Sequence, residues 1–386
     1  MKHIVFLLFF FPSLILASPS VRVLIDTPEE EIYLDVCGEY RVIDPANGKQ
    51  LSRGYRGKGF PVKGTDRGIQ WGERYFGIFQ IEVIPTSPMT YSLINGVQYY
   101  GAIRLYMLED RISIVNAVPV EQYLKSTLPR QIPDDLPESV NQAIAIIART
   151  SFHHMSQEEL HPFWDVKQER VAYYGSAMNG THPLIEEAID RTRHLIMLHK
   201  GQPFPATWTE DSAGQTIAYH DLNQTAQKTP PGVSLSTKRT KTPWSMKVRQ
   251  DEIASLCKLH RITDIQHSVD AASERVKQLV LSDGNHQYTL TFSRLRDHFG
   301  SEKIKSNLFE ATLSDNHILI KGYGEGMGSG LCLSTAKQMA IHKETTAITL
   351  LETFFPTISI EKREPTSIIL SKKFPKKARR GRCVHK

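Results

Sequence analysis

Between residues 21 and 117 apolar and polar positions alternate in short runs, which predicts strands over 32–36, 78–84, 91–94, 97–100, 102–108 and 112–115. Asn95-Gly96 falls between two of these runs and predicts a two-residue hairpin turn. The period changes at Val118. A short helix is expected from Pro119 to Leu124, followed by breaks at Pro129 and Pro133. A longer helix is expected from near Pro137, with Asp135 and Glu138 at capping-box spacing and the proline in its first turn. Val140, Ala143, Ile144, Ile147 and Ala148 recur at i, i+3, i+4, i+7 and i+8, so this helix buries at least one side. Beyond it the pattern predicts a helix over 184–193, a strand over 195–199 and a long polar loop over 209–231. β-like runs punctuated by Asp283-Gly284 and Asp315-Asn316 follow, and then a helix over 331–342. The sum is an α+β chain without internal repeats: a β-rich region over 19–117, then a central helical unit and a mixed C-terminal region over 118–362.

The two ends depart from this ordinary composition. Lys2 is followed by an apolar stretch over 4–16 and by small residues at Ala17 and Ser18, the make-up of a secretory signal peptide over 1–18. Its apolar core falls short of the roughly 18 to 20 residues that span a bilayer, so export with cleavage is expected, to the periplasm or cell envelope. Net charge is +6, but eight Lys/Arg and no acid fall between Ser371 and Lys386, and the rest of the chain holds fewer basic than acidic side chains. The excess therefore belongs to a tail over 363–386, expected to be disordered, with anionic lipid or wall polymer as its natural partner; export argues against nucleic acid. Cys37, Cys257, Cys332 and Cys383 lack any C-x-x-C spacing, and in an oxidising compartment they allow three pairings that sequence distance does not choose between.

The densest candidate chemistry lies late in the chain, where Gly322, Gly324, Gly326, Gly328 and Gly330 occupy every second position. In an extended chain, period two puts all five on one side and leaves bare backbone for a ligand to lie against. The alternative is structural, because glycine also permits positive φ and a close approach between two backbones. A dinucleotide fingerprint is excluded, since no register completes Gly-x-Gly-x-x-Gly, and no Lys-Ser/Thr follows to make a phosphate loop.

Several segments, in order, resemble the stage II sporulation protein D family, whose members include the amidase enhancers. They are the run 118–124 (Val-Pro-Val-Glu-Gln-Tyr-Leu), Ile132-Pro133 and Ala148-Arg149-Thr150. The stretch 211–216 is similar to that family's Ser-x-Ser-Gly-Gly-x-Thr segment, 322–336 to its glycine-alternating segment, and 351–360, with Phe354-Phe355-Pro356, to its closing strand region. The resemblance implies an exported protein that binds peptidoglycan glycan strands stripped of their peptides, and that in active members cleaves them as a lytic transglycosylase. It also implies a groove between residues 118–150 and the glycine segment, with position 131 on its floor. On the same ground Arg149 and Thr150 are expected to position the site, Ser212, Gly214 and Thr216 to donate to sugar hydroxyls, and the five glycines to form the wall along which a strand passes. No cofactor is implied, and no metal, because the stretch 165–175 lacks the Cys and His that place zinc in some relatives.

The resemblance breaks at the residue that matters most. Cleavage needs a carboxylic acid held protonated near neutral pH, and where the family has the Glu of Ser-Glu-Met-Pro this chain has Gln131. Met327, Leu333 and Glu325 likewise stand where the family has His, Gln and Trp, and Thr209-Glu210 where it has His-Ser. Asp134, Asp135 and Glu138 lie close to Gln131, and helix capping explains at least Asp135 and Glu138; Glu325, inside the glycine segment, is the better substitute acid. His153, His154 and Glu158 offer metal-like spacing without a second motif to complete it. Two classes of function follow: a lytic transglycosylase with a relocated acid, or a non-catalytic module that binds glycan or enhances a cell-wall amidase.

Overall fold

The computed structural model describes residues 20–25, 31–109, 111–133, 135–158, 161–176, 182–223, 227–235 and 242–363. The expected signal peptide, the basic tail after Arg363, Asp134 and Cys383 lie outside the described residues. The chain is an α+β protein, β-rich at its N-terminal end. Among the described residues no helix is long and apolar enough to cross a membrane.

Eleven strands of the first half join one sheet, with Ser20–Ile25 set between Arg111–Pro119 and the parallel Val166–Lys167. The alternation read from the sequence is what makes it amphipathic: Val21 and Val23, Leu34 and Val36, Ile81 and Val83, and Ile103 and Leu105 are each fully buried at every second position. Asn95 (φ 49°) and Gly96 (φ 82°) both lie in the left-handed region, as a type I′ hairpin turn between Tyr91–Ile94 and Val97–Tyr99 requires. The longest strand, Gln50–Thr65, carries no alternation, since Gly54, Gly57, Gly59 and Gly64 interrupt it. It exists because Ile32–Ile43 pairs with it across three register shifts, which is a tertiary cause. Arg22, in the first strand, is buried against Asp165 through Nε and Nη2 at 3.2 and 2.7 Å, which pins the Val166–Lys167 crossing to the sheet edge.

The last long strand runs directly into the helix Val120–Thr127, then a 3-10 turn over Leu128–Arg130 and the helix Glu138–Glu158. The predicted stripe of that helix is buried from Val140 to Ile147, with Ala148 half-buried, but so are Ala145 and Ile146, because the helices Pro183–Arg191, Leu333–Lys343 and Ala347–Phe354 and the strand Leu195–His199 cover it from several sides. It is a core helix and not a half-exposed one. The helix starts at Glu138, one residue later than expected. Asp135 is held by the Lys337 ammonium of the helix Leu333–Lys343, and Glu138 takes Arg191 and Gln142, so the reading of these two carboxylates as capping residues is replaced by side-chain pairing. The expected closing strand over 351–360 also divides. Ala347–Phe354 is helical up to the residue before Phe355, which Pro356 holds out of the helical region, and the strand Ile358–Lys362 then pairs with Leu195–His199.

Residues 243–323 build a second hydrophobic core around Ile253, Leu279, Leu281, Leu290 and Ile320, separate from the cluster that unites the sheet and the central helices. The β-like runs on either side of Asp283-Gly284 and Asp315-Asn316 pair as antiparallel neighbours, Val276–Ser282 with Gln287–Thr291 and Phe309–Ser314 with His317–Tyr323. The chain returns from this second core to the first through the glycine segment, which positions that segment at the junction of the two.

Candidate functional site

A cleft of about 360 Å³ opens beside Gln131. The helix Val120–Thr127 supplies Tyr123, Leu124 and Thr127 on one turn face, and the helix Glu138–Glu158 supplies Ala148, Ser151 and Met155 at i, i+3 and i+7. The opposite wall is formed by Arg170, Val171, Ala172, Ala206, Thr207 and Trp208. Gln131 sits at the lip, exposed, where the 3-10 turn ends; its amide Nε2 donates to Thr127 O at 3.0 Å. Behind the cleft Tyr123 packs against Phe152 and Tyr173 with ring centroids 5.5 and 5.7 Å away, which makes the aromatic floor rigid. Among the described residues no Asp or Glu lines the cleft, and Arg170 is the one charged side chain there.

The glycine segment does not form the open wall expected of it. Only Gly322 continues a strand; Gly324, Gly326, Gly328 and Gly330 have φ of 78°, 95°, 74° and 81°, so the period-two argument for an extended chain fails. Each of these four is pressed against another part of the chain. A Cβ at Gly324 would reach Asp211 O at 2.5 Å, and one at Gly326, Gly328 or Gly330 would overlap Thr209, the Arg275 guanidinium or the Thr207 carbonyl. The contact is a backbone ladder with the predicted polar loop: Asp211 and Glu325 exchange N–H···O bonds at 2.9 Å, Ile217 N donates to Gly328 O at 2.9 Å and Leu331 N to Thr207 O at 3.0 Å. The two motifs read separately in the sequence are thus one interlocked unit, placed behind Thr207 and Trp208 and not along the cleft.

The other expected site residues share this structural role. Ser212 and Thr216 are buried, Thr216 Oγ1 accepts from Val233 N at 2.8 Å, and Gly214 (φ 95°) accepts from Leu235 N at 2.8 Å. The donor roles expected for them toward sugar hydroxyls give way to closing their own loop. Glu325 is exposed but does not line the cleft. Arg275 was not foreseen. It is fully buried, donates to Asn307 Oδ1 and to the carbonyls of Ser212 and Gln215, and burial pushes its pKa down to about 10. No pattern in the sequence distinguishes it from the surface arginines, since its partners are carbonyls far away along the chain.

Arg149 and Thr150 likewise turn away from the cleft. Arg149 is 1% exposed; its Nε and Nη2 donate to both oxygens of Glu121 at 3.1 and 2.7 Å, and Nη1 to Leu195 O at 3.1 Å. Thr150 Oγ1 donates to Ile146 O and accepts from Met197 N at 2.9 Å. Together they bolt the two helices that shape the cleft to the strand Leu195–His199, so they support the site from behind. Removing one partner strands a buried charge, and Glu121→Ala should lower stability by about 3–5 kcal/mol in urea unfolding. The double change Glu121→Leu, Arg149→Met should recover most of that loss. A single change within 1 kcal/mol of the parent would contradict this account. His153 flanks the same region, and burial, ahead of the nearby Arg363 and Arg149 charges, pushes its pKa down to about 4, so it is neutral at pH 7. Cys37, Cys257 and Cys332 are free thiols.

Residues 108–199 match the family model SpoIID, described as Stage II sporulation protein. The chain carries a SpoIID domain. The match spans the two helices, Gln131 and the Arg170–Ala172 wall of the cleft, and stops before Ala206–Trp208 and the glycine segment. Three similar proteins are all called uncharacterized: one of Chlamydia pneumoniae, 28% identical over 182 residues, covering 47% of this chain and 66% of that one; one of Chlamydia muridarum, 26% identical over 212 residues, covering 54% and 73%; and one of Brachyspira hyodysenteriae, 25% identical over 255 residues, covering 64% and 68%. The chain thus spans about two thirds of the length of these relatives. The SpoIID domain suggests a role related to the cell wall.

Proposed function

We propose that this SpoIID-domain protein is an exported peptidoglycan-remodelling protein that binds denuded glycan strands in the Gln131 cleft without cleaving them. The observation that carries the reading is the lining of that cleft: an amide where a proton donor would be needed, and no carboxylate elsewhere among the described residues of the lining. Apolar and aromatic groups with a few polar ones are the usual lining of a small-ligand site, and Tyr123, Trp208 and Met155 fit the apolar faces of sugar rings. A strand stripped of peptide keeps a lactyl carboxylate on every second sugar, which the cationic Arg170 complements.

The enzyme reading depends on a substitute acid, and the nearby carboxylates fit that task poorly. Asp135 has its pKa lowered by the Lys337 ammonium, so it stays ionised, and Glu325 is outside the cleft. A cleft that holds glycan without chemistry also suits a protein that presents the strand to a cell-wall amidase. Co-sedimentation of the purified chain with peptide-free sacculi tests the reading. Binding is expected, and Trp208→Ala should weaken it at least about tenfold, as loss of an aromatic anchor commonly does. Equal binding by parent and variant, or none by either, would refute it.

A further inference from the structure

The helix Val120–Thr127 divides two clefts. Tyr123, Leu124 and Thr127 face the Gln131 cleft, while Glu121, Gln122 and Lys125 face a second one of about 610 Å³ on the other side. That size falls within the roughly 300–1,000 Å³ typical of small-ligand sites. One wall is mainly apolar, with Ile84, Pro85, Pro88 and Tyr100 contributed by the N-terminal sheet and its loops and Thr86, Ser87 and Thr90 set among them. The opposite rim carries Lys125, Arg193 and His194.

The charges on this rim do not cancel. Glu121 is the one carboxylate among the described lining residues, and both of its oxygens are already taken by the buried Arg149. Lys125 and Arg193 share a single further carboxylate, Asp190, at 2.7 and 3.4 Å, which leaves one surplus positive charge. His194 holds a left-handed backbone at φ 68°, its N–H donates to Glu121 Oε1 at 3.4 Å, and burial lowers its pKa against the opposing pull of Glu121. At neutral pH it is an uncharged imidazole beside the two cations. A mainly apolar wall facing a rim with one net positive charge matches a ligand that has small apolar groups and one terminal anion; an inorganic anion would leave the wall unused.

We propose that this cleft is a second ligand site that takes a short peptide by its free C-terminal carboxylate. Lys125 and Arg193 receive the carboxylate, and Pro85, Pro88 and Tyr100 pack under small apolar side chains. That the occupant is a peptidoglycan stem peptide rests on the wall reading above; the carboxylate-peptide chemistry stands apart from it. A protein with both clefts would grip a bare strand on one side of the helix and a peptide from a neighbouring strand on the other.

The test is isothermal titration of the full chain with the synthetic tripeptide N-acetyl-L-Ala-D-Ala-D-Ala, whose single anion is its C-terminal carboxylate, against the same peptide amidated at its C-terminus. The free acid should bind, and the amide at least tenfold more weakly. Lys125→Gln with Arg193→Gln should cost the acid at least tenfold, whereas Asp190→Asn, which releases both cations, should strengthen it severalfold. Both cations have partly exposed side chains, and thermal melts of the variants verify that the fold is kept. Neither change touches the Gln131 cleft, so binding to peptide-free sacculi should be unaltered. Equal binding of acid and amide, indifference to the double substitution, or no binding of either peptide overturns the proposal. Peptide binding without sacculus binding would sink the glycan reading alone.

Discussion

Gly330→Ala should destabilise the protein by about 4 kcal/mol, a large share of the roughly 5–15 kcal/mol that holds an ordinary domain folded. Two costs add. The residue sits at φ 81°, where an L side chain pays of order 1–2 kcal/mol. The new methyl would also overlap the Thr207 carbonyl oxygen, which is fixed by accepting Leu331 N at 3.0 Å and so has no direction in which to retreat. Overpacking against such an immovable neighbour typically costs a further 1–3 kcal/mol, approximately. Gly201 is the matched control: it has nearly the same φ, 74°, but a Cβ there meets nothing within 4 Å. Gly201→Ala should therefore cost only about 1–2 kcal/mol. Urea midpoints at unchanged slope measure both. Equal losses at the two positions would mean that the alternating glycines serve conformation alone and that the interlock with residues 207–217 is of no consequence.

Gln131→Glu should turn a binding cleft into a slow lytic transglycosylase. The side chain is at the lip of a cavity whose neighbouring walls, Tyr123, Leu124 and Leu128, are apolar, and a bound strand would exclude water from the introduced carboxyl. Desolvation raises a carboxyl's pKa, so the acid would be held protonated where a glycosidic oxygen lies. General acid catalysis is commonly worth on the order of 10² to 10⁴ in rate, and mass spectrometry of digests of peptide-free glycan should reveal 1,6-anhydro-muramic ends only in the variant. Anhydro products from the parent chain would defeat the binding-only reading outright. A variant that binds strands but releases nothing would show that the missing acid was not the sole deficit, and would direct attention to Met327 and Glu325, which replace the family's His and Trp.

Much of the scaffold was legible because its causes are local. Leu34 and Val36 alternate with polar neighbours, Asn95-Gly96 can adopt the two left-handed conformations that a type I′ turn needs, and Val140 to Ala148 repeat with helical period; in each case the signal lies within a few residues of its effect. The strand Gln50–Thr65 was missed because its pairing partner, not its composition, makes it a strand. The resemblance placed position 131 on the floor of a groove walled by the glycine segment; a cleft does open there, but Gln131 is exposed at its lip and the glycine segment does not line it. It could not reveal that Arg149 answers Glu121, 28 residues away, or that Arg275 answers carbonyls more than 50 residues away.

Residue type and spacing along the chain were enough for the alternating strands of the first half, the central helix, the likeness to SpoIID proteins and the absence of an acid at position 131. Tertiary structure alone decided what the conspicuous residues do. Whether a glycine is an open wall or a socket depends on which backbone lies against it, and whether an arginine serves a ligand or the core depends on which distant carboxylates and carbonyls are buried with it. Those neighbours are chosen by the packing of two hydrophobic cores against each other, and no local pattern encodes that choice.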